Sequence, residues 1–421
     1  MLAADEIGNL DAEQVLKRLF GAGLEAALPD GKFDHLLPEK PKGRTIVLGA
    51  GKASARMARA FEDAWQAPCE GLVITRYGHS VPTRHVRIVE ASHPVPDETG
   101  LSATREIVEL ARGAGPDDLV IVLISGGASS LLTMPAEGVS LADKQDITRQ
   151  LLRSGAPIGA MNTVRKAFSA VKGGKLAIVA APAKVVTYII SDVPGDDPAI
   201  VGSGPSIIAR NDPHEVRAIL ARFRIKVPAH VDRALDAHTG GPDIRPENIV
   251  HTIATPRMSL DAASREAERM GITPIILGDA IEGEAREVAV AMAGMVRSII
   301  QYKTPFVAPC VLLSGGETTV TLRPEAAGRG GRNTEFLLAL FLALKSHREV
   351  AAIACDTDGI DGTENNAGAW FDLASGWTGE ADAAAFLDRN DAYNFFKQAD
   401  RLVTTGPTYT NVNDFRAILV R

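Results

Sequence analysis

Little in this 421-residue chain invites a disulfide or a structural metal. Its three cysteines, Cys69, Cys310 and Cys355, stand in no paired or metal-binding spacing, so they read as small hydrophobes in a reducing, cytoplasmic setting. The nine histidines show no metal-ligand spacing either. No apolar stretch reaches the roughly 18 residues that a membrane span needs. The N-terminal "MLAADEIGNLDAEQVLKRLF" begins acidic and amphipathic, without the basic start and apolar core of a secretion signal. The formal net charge of −7 is spread without long like-charge runs, which argues against a nucleic-acid or anionic-membrane surface. An anionic ligand must then be held by local cations and backbone amides.

What is present is an alternation of short apolar runs and helical segments. "TIVLGA", "GLVIT", "VRIVEA", "DLVIVLIS" and "KVVTYIIS" read as strands, with helices at Ala53–Trp65, Glu98–Arg112, Leu141–Arg153 and Gly159–Ala170 between them. Near-continuous Val/Ile/Leu strands separated by helices predict an α/β fold with a parallel sheet covered on both faces. Ser203 to Pro256, rich in Pro, Gly, Asp and His with one helix near His214–Arg222, reads as a junction between two domains, 1–245 and 246–421. Alternation then resumes with "TPIIL", "PCVLLS", helices at Pro256–Met270, Glu284–Gln301 and about Asn333–Ser346, the strand 350–355, "RLVTT" and "FRAILV". "ETTVTL" is expected to pair antiparallel with the strand before it.

Several strand ends carry candidate chemistry. In "VLGAGKAS", Gly49 and Gly51 permit a tight turn, and Lys52 opens a helix whose N-terminal amides suit an anion. The motif nearly fits the dinucleotide pattern, but the next strand ends in Arg76 where that pattern wants an acid. In "LISGGASSLL", Ser125, Gly126, Gly127, Ser129 and Ser130 would cradle phosphoryl oxygens or simply cap a helix. "NTVRKAFSAVKGGKLA" carries Arg165, Lys166, Lys172 and Lys175, a charge run of the kind that usually forms a solvated helix face, and its Gly173-Gly174 pair favours a helix end with a second helix after it. In "IISDVPGDDPAIVGSGP", Asp192 and Asp197 follow a buried strand and suit Mg²⁺ or a hydroxyl proton; an acidic turn bonded to its own backbone is the other reading.

In "LLSGGETTVTLRPEAAGRGGRNTEF", Gly315, Gly316 and Glu317 end a strand, and Arg332-Asn333 opens a leucine-rich helix where an arginine suits phosphate. "VAAIACDTDGIDGTENNAGA" ends in Asp356, Asp358 and Asp361 on glycine hinges, with Asp361 a third candidate for Mg²⁺. "TTGPTYTNVNDF" adds Asn413 for nucleotide or hydroxyl recognition, or a structural turn. His93, in "ASHPVPDETG", reads as a backbone-bonded or a catalytic histidine. Glycine loops, cations and strand-end aspartates together are the kit for moving a phosphoryl group.

The motifs "GAGKA", "SHPVPD", "SGGASSLL", "NTVRK…KGGKLA", "SDVPGDDP…SGP", "SGGETTV", "GRGGRN", "DTDGIDG" and "TGPTYTNVND", in that order, resemble the glycerate 2-kinase family. That family is also labelled hydroxypyruvate reductase, and its C-terminal part is called the MOFRL domain. The resemblance implies a Rossmann-like N-terminal domain, a mixed-sheet α/β/α C-terminal domain and a cleft between them. It further implies transfer of a phosphoryl group from ATP, with Mg²⁺, to the 2-hydroxyl of D-glycerate. The family's lysine–arginine pair falls on Lys52 and Arg332, with Asp192 or Asp358 holding Mg²⁺ or taking the hydroxyl proton. The expected partners are small molecules alone, and a homodimer is compatible. Two rival activities stay open, an NAD(P)H-dependent hydroxypyruvate reductase and a non-catalytic sensor of phosphorylated metabolites.

Overall fold

A computed structural model describes residues 11–209, 212–237, 247–322, 328–377 and 382–421. It divides into two compact units, Pro29–Ile253, and Ala254–Arg421 with the segment ending at Leu28. The expected boundary between residues 245 and 246 lies outside the described residues.

The Pro29–Ile253 unit is built on strands β1 (Thr45–Ala50), β2 (Glu70–Arg76), β3 (Val86–Ala91), β4 (Leu119–Ile124), β5 (Lys184–Ile190) and β6 (Asn248–Ala254). Their order is β3-β2-β1-β4-β5-β6, and the β1/β2, β2/β3, β1/β4 and β4/β5 pairings are parallel. Every residue of β1 and β4 is buried, as a strand covered on both faces requires. On one face Ile46, Leu48, Val120, Val122 and Ile124 pack with Ala103, Ile107, Val108 and Ala111 of the helix Glu98–Arg112. That helix starts where Asp97 accepts a hydrogen bond from Gly100 N at 2.9 Å. Elsewhere Phe33 meets Phe61 and Tyr188 edge-on. A separate apolar cluster joins the helices Leu141–Arg153, Ile158–Ala167, Pro213–Arg222 and Ala229–Ala237.

The other unit carries β7 (Thr273–Gly278), β8 (Gly283–Glu284), β9 (Cys310–Ser314), β10 (Thr318–Thr319), β11 (Val350–Asp356), β12 (Gly368–Asp372), β13 (Leu402–Val403) and β14 (Asp414–Val420). The main sheet runs β13-β12-β11-β14-β9-β7; β7 and β9 are parallel and the other neighbours antiparallel. Period-two alternation sorts its residues between two cores. Ala352, Ala354, Ile418 and Val420 face the helices Ala285–Tyr302 and Arg332–Leu344. Ile353, Cys355, Phe415, Ala417 and Leu419 face the helices Ala12–Ala27 and Pro256–Arg269. The resulting layers are helix, mixed sheet, helix.

Three expectations need correction. The N-terminal helix belongs with the C-terminal sheet, because Val15, Leu16, Leu19 and Phe20 complete that sheet's second core. Thr318–Thr319 pairs in parallel with Gly283–Glu284, not antiparallel with the strand before it. The supposed junction contains the helix Ala229–Ala237 and the sheet strand β6.

Candidate active site

In the Pro29–Ile253 unit the strand order reverses direction between β1 and β4, so their C-terminal ends form the crevice of a doubly wound sheet. Both ends are glycine turns, and they lock onto each other. Lys52 N donates to Gly126 O at 2.8 Å and Ser125 N to Ala50 O at 3.2 Å. Ala53 N donates to Ser125 Oγ at 3.0 Å. A side chain at Gly51, whose φ is +141°, would put its Cβ 2.1 Å from Ser125 Oγ; one at Gly49 would sit 2.3 Å from Leu123 O. These glycines are therefore explained by the meeting of two turns.

That packing corrects the expected anion seat. The amides of Lys52, Ala53 and Ser54 are all taken, by Gly126 O, Ser125 Oγ and Gly51 O. The open donors lie on the second turn: among the described residues the amides of Gly126 and Gly127 donate to no protein acceptor. Gly127 has φ +82°, and a Cβ there would touch the His93 ring at 3.0 Å and Lys52 Cγ at 3.2 Å. A small cradle thus brings together two successive amides, an ammonium-bearing stem and an imidazole.

Around it the hydroxyls are ordered. Ser129 Oγ lies 2.7 Å from Ser203 Oγ, and Ser203 Oγ donates to Asn162 Oδ1 at 3.0 Å. Ser130 Oγ donates to Gly127 O at 3.2 Å and holds the turn. Neither Ser203 nor Asn162 stood out in the sequence as a site residue. Asp192 is half-buried just past the end of β5, the strand beside β4. Asp197 is exposed and accepts from Ala199 N at 2.9 Å, the self-bonded acidic turn.

The other unit gathers a buried ionic cluster. Cross-strand register sets Asp356 opposite Asp414, and Arg416 follows Asp414 on the same face of β14. Arg332, opening the helix over this face, donates from Nε to Asp414 Oδ1 at 2.8 Å, from Nη2 to Asp356 Oδ2 at 2.7 Å, and from Nη1 to Glu317. Burial opposes the Arg332 charge, but Asp414, Glu317 and Asp356 outweigh it and hold its pKa well above the ordinary arginine range. The arginine expected to wait for phosphate is already enclosed by three carboxylates.

Arg416 is fully buried and donates to Asp414 Oδ2 at 2.6 Å, Gly315 O at 3.1 Å and Thr318 Oγ1 at 3.2 Å. Burial, with Arg332 nearby, lowers its pKa despite Asp414. Asn333 Nδ2 donates to Asp414 Oδ1 at 2.8 Å. Asp361 accepts from Asn333 N and Thr334 N, each at 2.9 Å, and from Thr334 Oγ1 at 2.7 Å. It caps the helix, and this replaces the magnesium role expected of it. Burial raises its pKa.

Asp358, 2% exposed, turns its own loop by accepting from Ile360 N at 2.8 Å. Asn413, at φ +64°, presents its carbonyl to Thr357 N at 3.1 Å and Thr357 Oγ1 at 2.6 Å. At Gly316, φ +106°, a Cβ would strike Ile281 N at 2.2 Å, so a neighbouring loop needs the glycine. Among the described residues no group of three His, Cys, Asp or Glu is placed to hold a metal ion.

Comparison with known proteins places this architecture. A profile described as a domain of unknown function (DUF4147) matches residues 15–236, and the MOFRL family matches residues 310–414. The D-glycerate 2-kinase of Thermotoga maritima is 37% identical over 93% of this chain and 94% of its own. A protein of Agrobacterium vitis, provisionally named hydroxypyruvate reductase, is 48% identical over 98% of this chain and 95% of its own. The human glycerate kinase is 32% identical over 97% of this chain and 93% of its own. The crystal structure of the Thermotoga maritima glycerate kinase superposes with a TM-score of 0.86 at 36% identity, covering 97% of this chain and 99% of that one.

Proposed function

The chain belongs to the glycerate 2-kinase family, whose members are also named hydroxypyruvate reductases, and from that premise we propose that it transfers the γ-phosphoryl group of ATP to the 2-hydroxyl of D-glycerate. The observation that carries this reading is the pair of unengaged amides at Gly126 and Gly127, beside Lys52 and His93. Two backbone donors and an ammonium at a strand end suit a phosphoryl group, whose charge spreads over three oxygens.

Lys52 neutralises those oxygens. Asp192, just past the end of β5, takes the hydroxyl proton, with Asp358 of the other unit the alternative base. Ser129 is held in position through Ser203 and Asn162, so its hydroxyl is fixed before a ligand arrives. In the other unit the three carboxylates fix the Arg332 guanidinium, which has used three of its five N–H groups. Among the described residues no three-ligand group is placed for a metal, and Asp361 and Asp197 serve as a cap and a turn, which leaves Asp192 as the carboxylate of the Pro29–Ile253 unit for a magnesium shared with the nucleotide. A magnesium arriving on ATP is otherwise held by the nucleotide phosphates and water.

The reductase reading is favoured by the strand order and by Gly49-Ala50-Gly51 at the end of β1. It needs free amides at the start of the following helix for a pyrophosphate, and those amides are engaged. One experiment separates the two. Purified protein with ATP, magnesium and D-glycerate should release ADP, and ³¹P NMR should show a phosphate ester on the 2-position. NADPH oxidation with hydroxypyruvate, without glycerate-dependent ADP release, would overturn the kinase reading.

A further inference from the structure

Four cations of the Pro29–Ile253 unit gather around the C-terminal end of the helix Ile158–Ala167. Lys144 is 5% exposed and Lys172 0%. Lys144 Nζ donates to Phe168 O at 3.4 Å, and Lys175 Nζ to the carbonyl of the next residue, Ser169. Lys172 Nζ donates to Leu132 O at 2.8 Å. The chain just after Leu132 runs beside these carbonyls: Ala136 N donates to Phe168 O at 3.2 Å and Ala170 N to Met134 O at 2.9 Å. Arg165 stands one turn before Phe168 on the helix, half-buried, and donates no hydrogen bond to a described residue. Among the described residues no carboxylate lies within 4.0 Å of any of the four cationic groups.

A helix end accounts for part of this. Its carbonyls carry only about half an elementary charge, against four side chains that are cationic when protonated. The surplus shows in the side chains themselves. Burial, then repulsion from Arg165 and Lys175, pushes Lys144 down to about 7. Burial, then repulsion from Lys144 and Arg165, pushes Lys172 well below the ordinary lysine range, and burial lowers Arg165. Buried cations are ordinarily paired. The missing partner is a multivalent anion: a carboxylate would offset one charge, whereas a phosphoryl group brings about two and accepts from an arginine fork.

We propose that Lys144, Arg165, Lys172 and Lys175 form a binding site for the phosphoryl group of a small molecule, built from none of the residues at the Lys52 and Gly126–Gly127 turns. It adjoins the serine relay, since Gly173 N donates to Ser203 O at 3.1 Å. It requires no phosphoryl transfer and stands apart from the kinase reading.

The test is calorimetric titration of the full chain with inorganic phosphate at constant ionic strength, with chloride as control anion. Saturable phosphate binding is expected, weakened at least about tenfold in Arg165→Gln, which loses a charged donor, and retained in Lys52→Ala. Lys175→Gln, at a half-buried position, is the second variant should Arg165→Gln fail to fold. Parallel titrations with ATP and with 2-phosphoglycerate identify the source: whichever binds most tightly and loses most in Arg165→Gln is the occupant. Phosphate affinity equal in Arg165→Gln, Lys175→Gln and the parent chain, or no saturable binding of any of the three compounds, overturns the proposal.

Discussion

Arg416 is the residue at which sequence and structure part most sharply. "FRAILV" was legible as a strand without any role for its arginine, which is fully buried and paired with Asp414. The only sequence signal was Asp414 two positions earlier, which puts both side chains on one face of the strand. Removing one partner leaves a buried charge uncompensated, so Arg416→Ala should lower stability by about 3–5 kcal/mol. Urea unfolding measures this, and a loss under 1 kcal/mol would show that the pair is dispensable. Lys144 gives a prediction in pH. Its folded pKa, about 7, lies below its ordinary value of 10.5, so the unfolded chain binds the extra proton between them. The cost of burying its charge, faced by Arg165, Lys172 and Lys175, is complete below pH 7 and fades as pH rises towards 10.5. Lys144→Met should therefore be more stable than the parent chain at pH 6.5 in phosphate-free buffer, with the gap shrinking by pH 9.5. A gap that widens with pH contradicts the assignment.

At the scale of elements, the parallel sheet was legible because β1 and β4 are continuous apolar runs punctuated by glycine. The short strands β10 and β13 were marked by "ETTVTL" and "RLVTT", but two paired residues carry no period that names a partner, and β10 lies beside Gly283–Glu284. β12, "GAWFD", hid behind the acidic loop before it. The glycine turns were visible as turns, but not that Gly51 faces Ser125 or that Gly127 faces His93; such approaches depend on which strands are neighbours. The N-terminal helix shows the same limit. Its amphipathic pattern was plain, and its partner sheet, more than two hundred residues away in sequence, was not. Leu16 is fully buried in that sheet's second core. Leu16→Ala should then cost about 2–5 kcal/mol, read from denaturant midpoints; an effect within experimental error would mean that the helix is not a core layer.

On the scale of the whole molecule, the motifs pointed to the family, and the comparisons bear that out over nearly the full chain. The site was legible as an inventory and less so as an arrangement. Gly126, Gly127, Lys52 and His93 do come together, whereas Arg332 and Asp361 are drawn into contacts of their own. An isolated motif does not tell whether its charge is already answered, because β11 and β14 supply Asp356 and Asp414 from separate stretches of chain.

The most direct test is the rate of glycerate-dependent ADP release by Lys52→Met against the parent chain. Loss of one cation placed for developing phosphoryl charge predicts a fall in kcat/KM of about 100-fold or more, with the melting temperature nearly unchanged. A Lys52→Met protein that releases ADP at the parental rate would contradict the account.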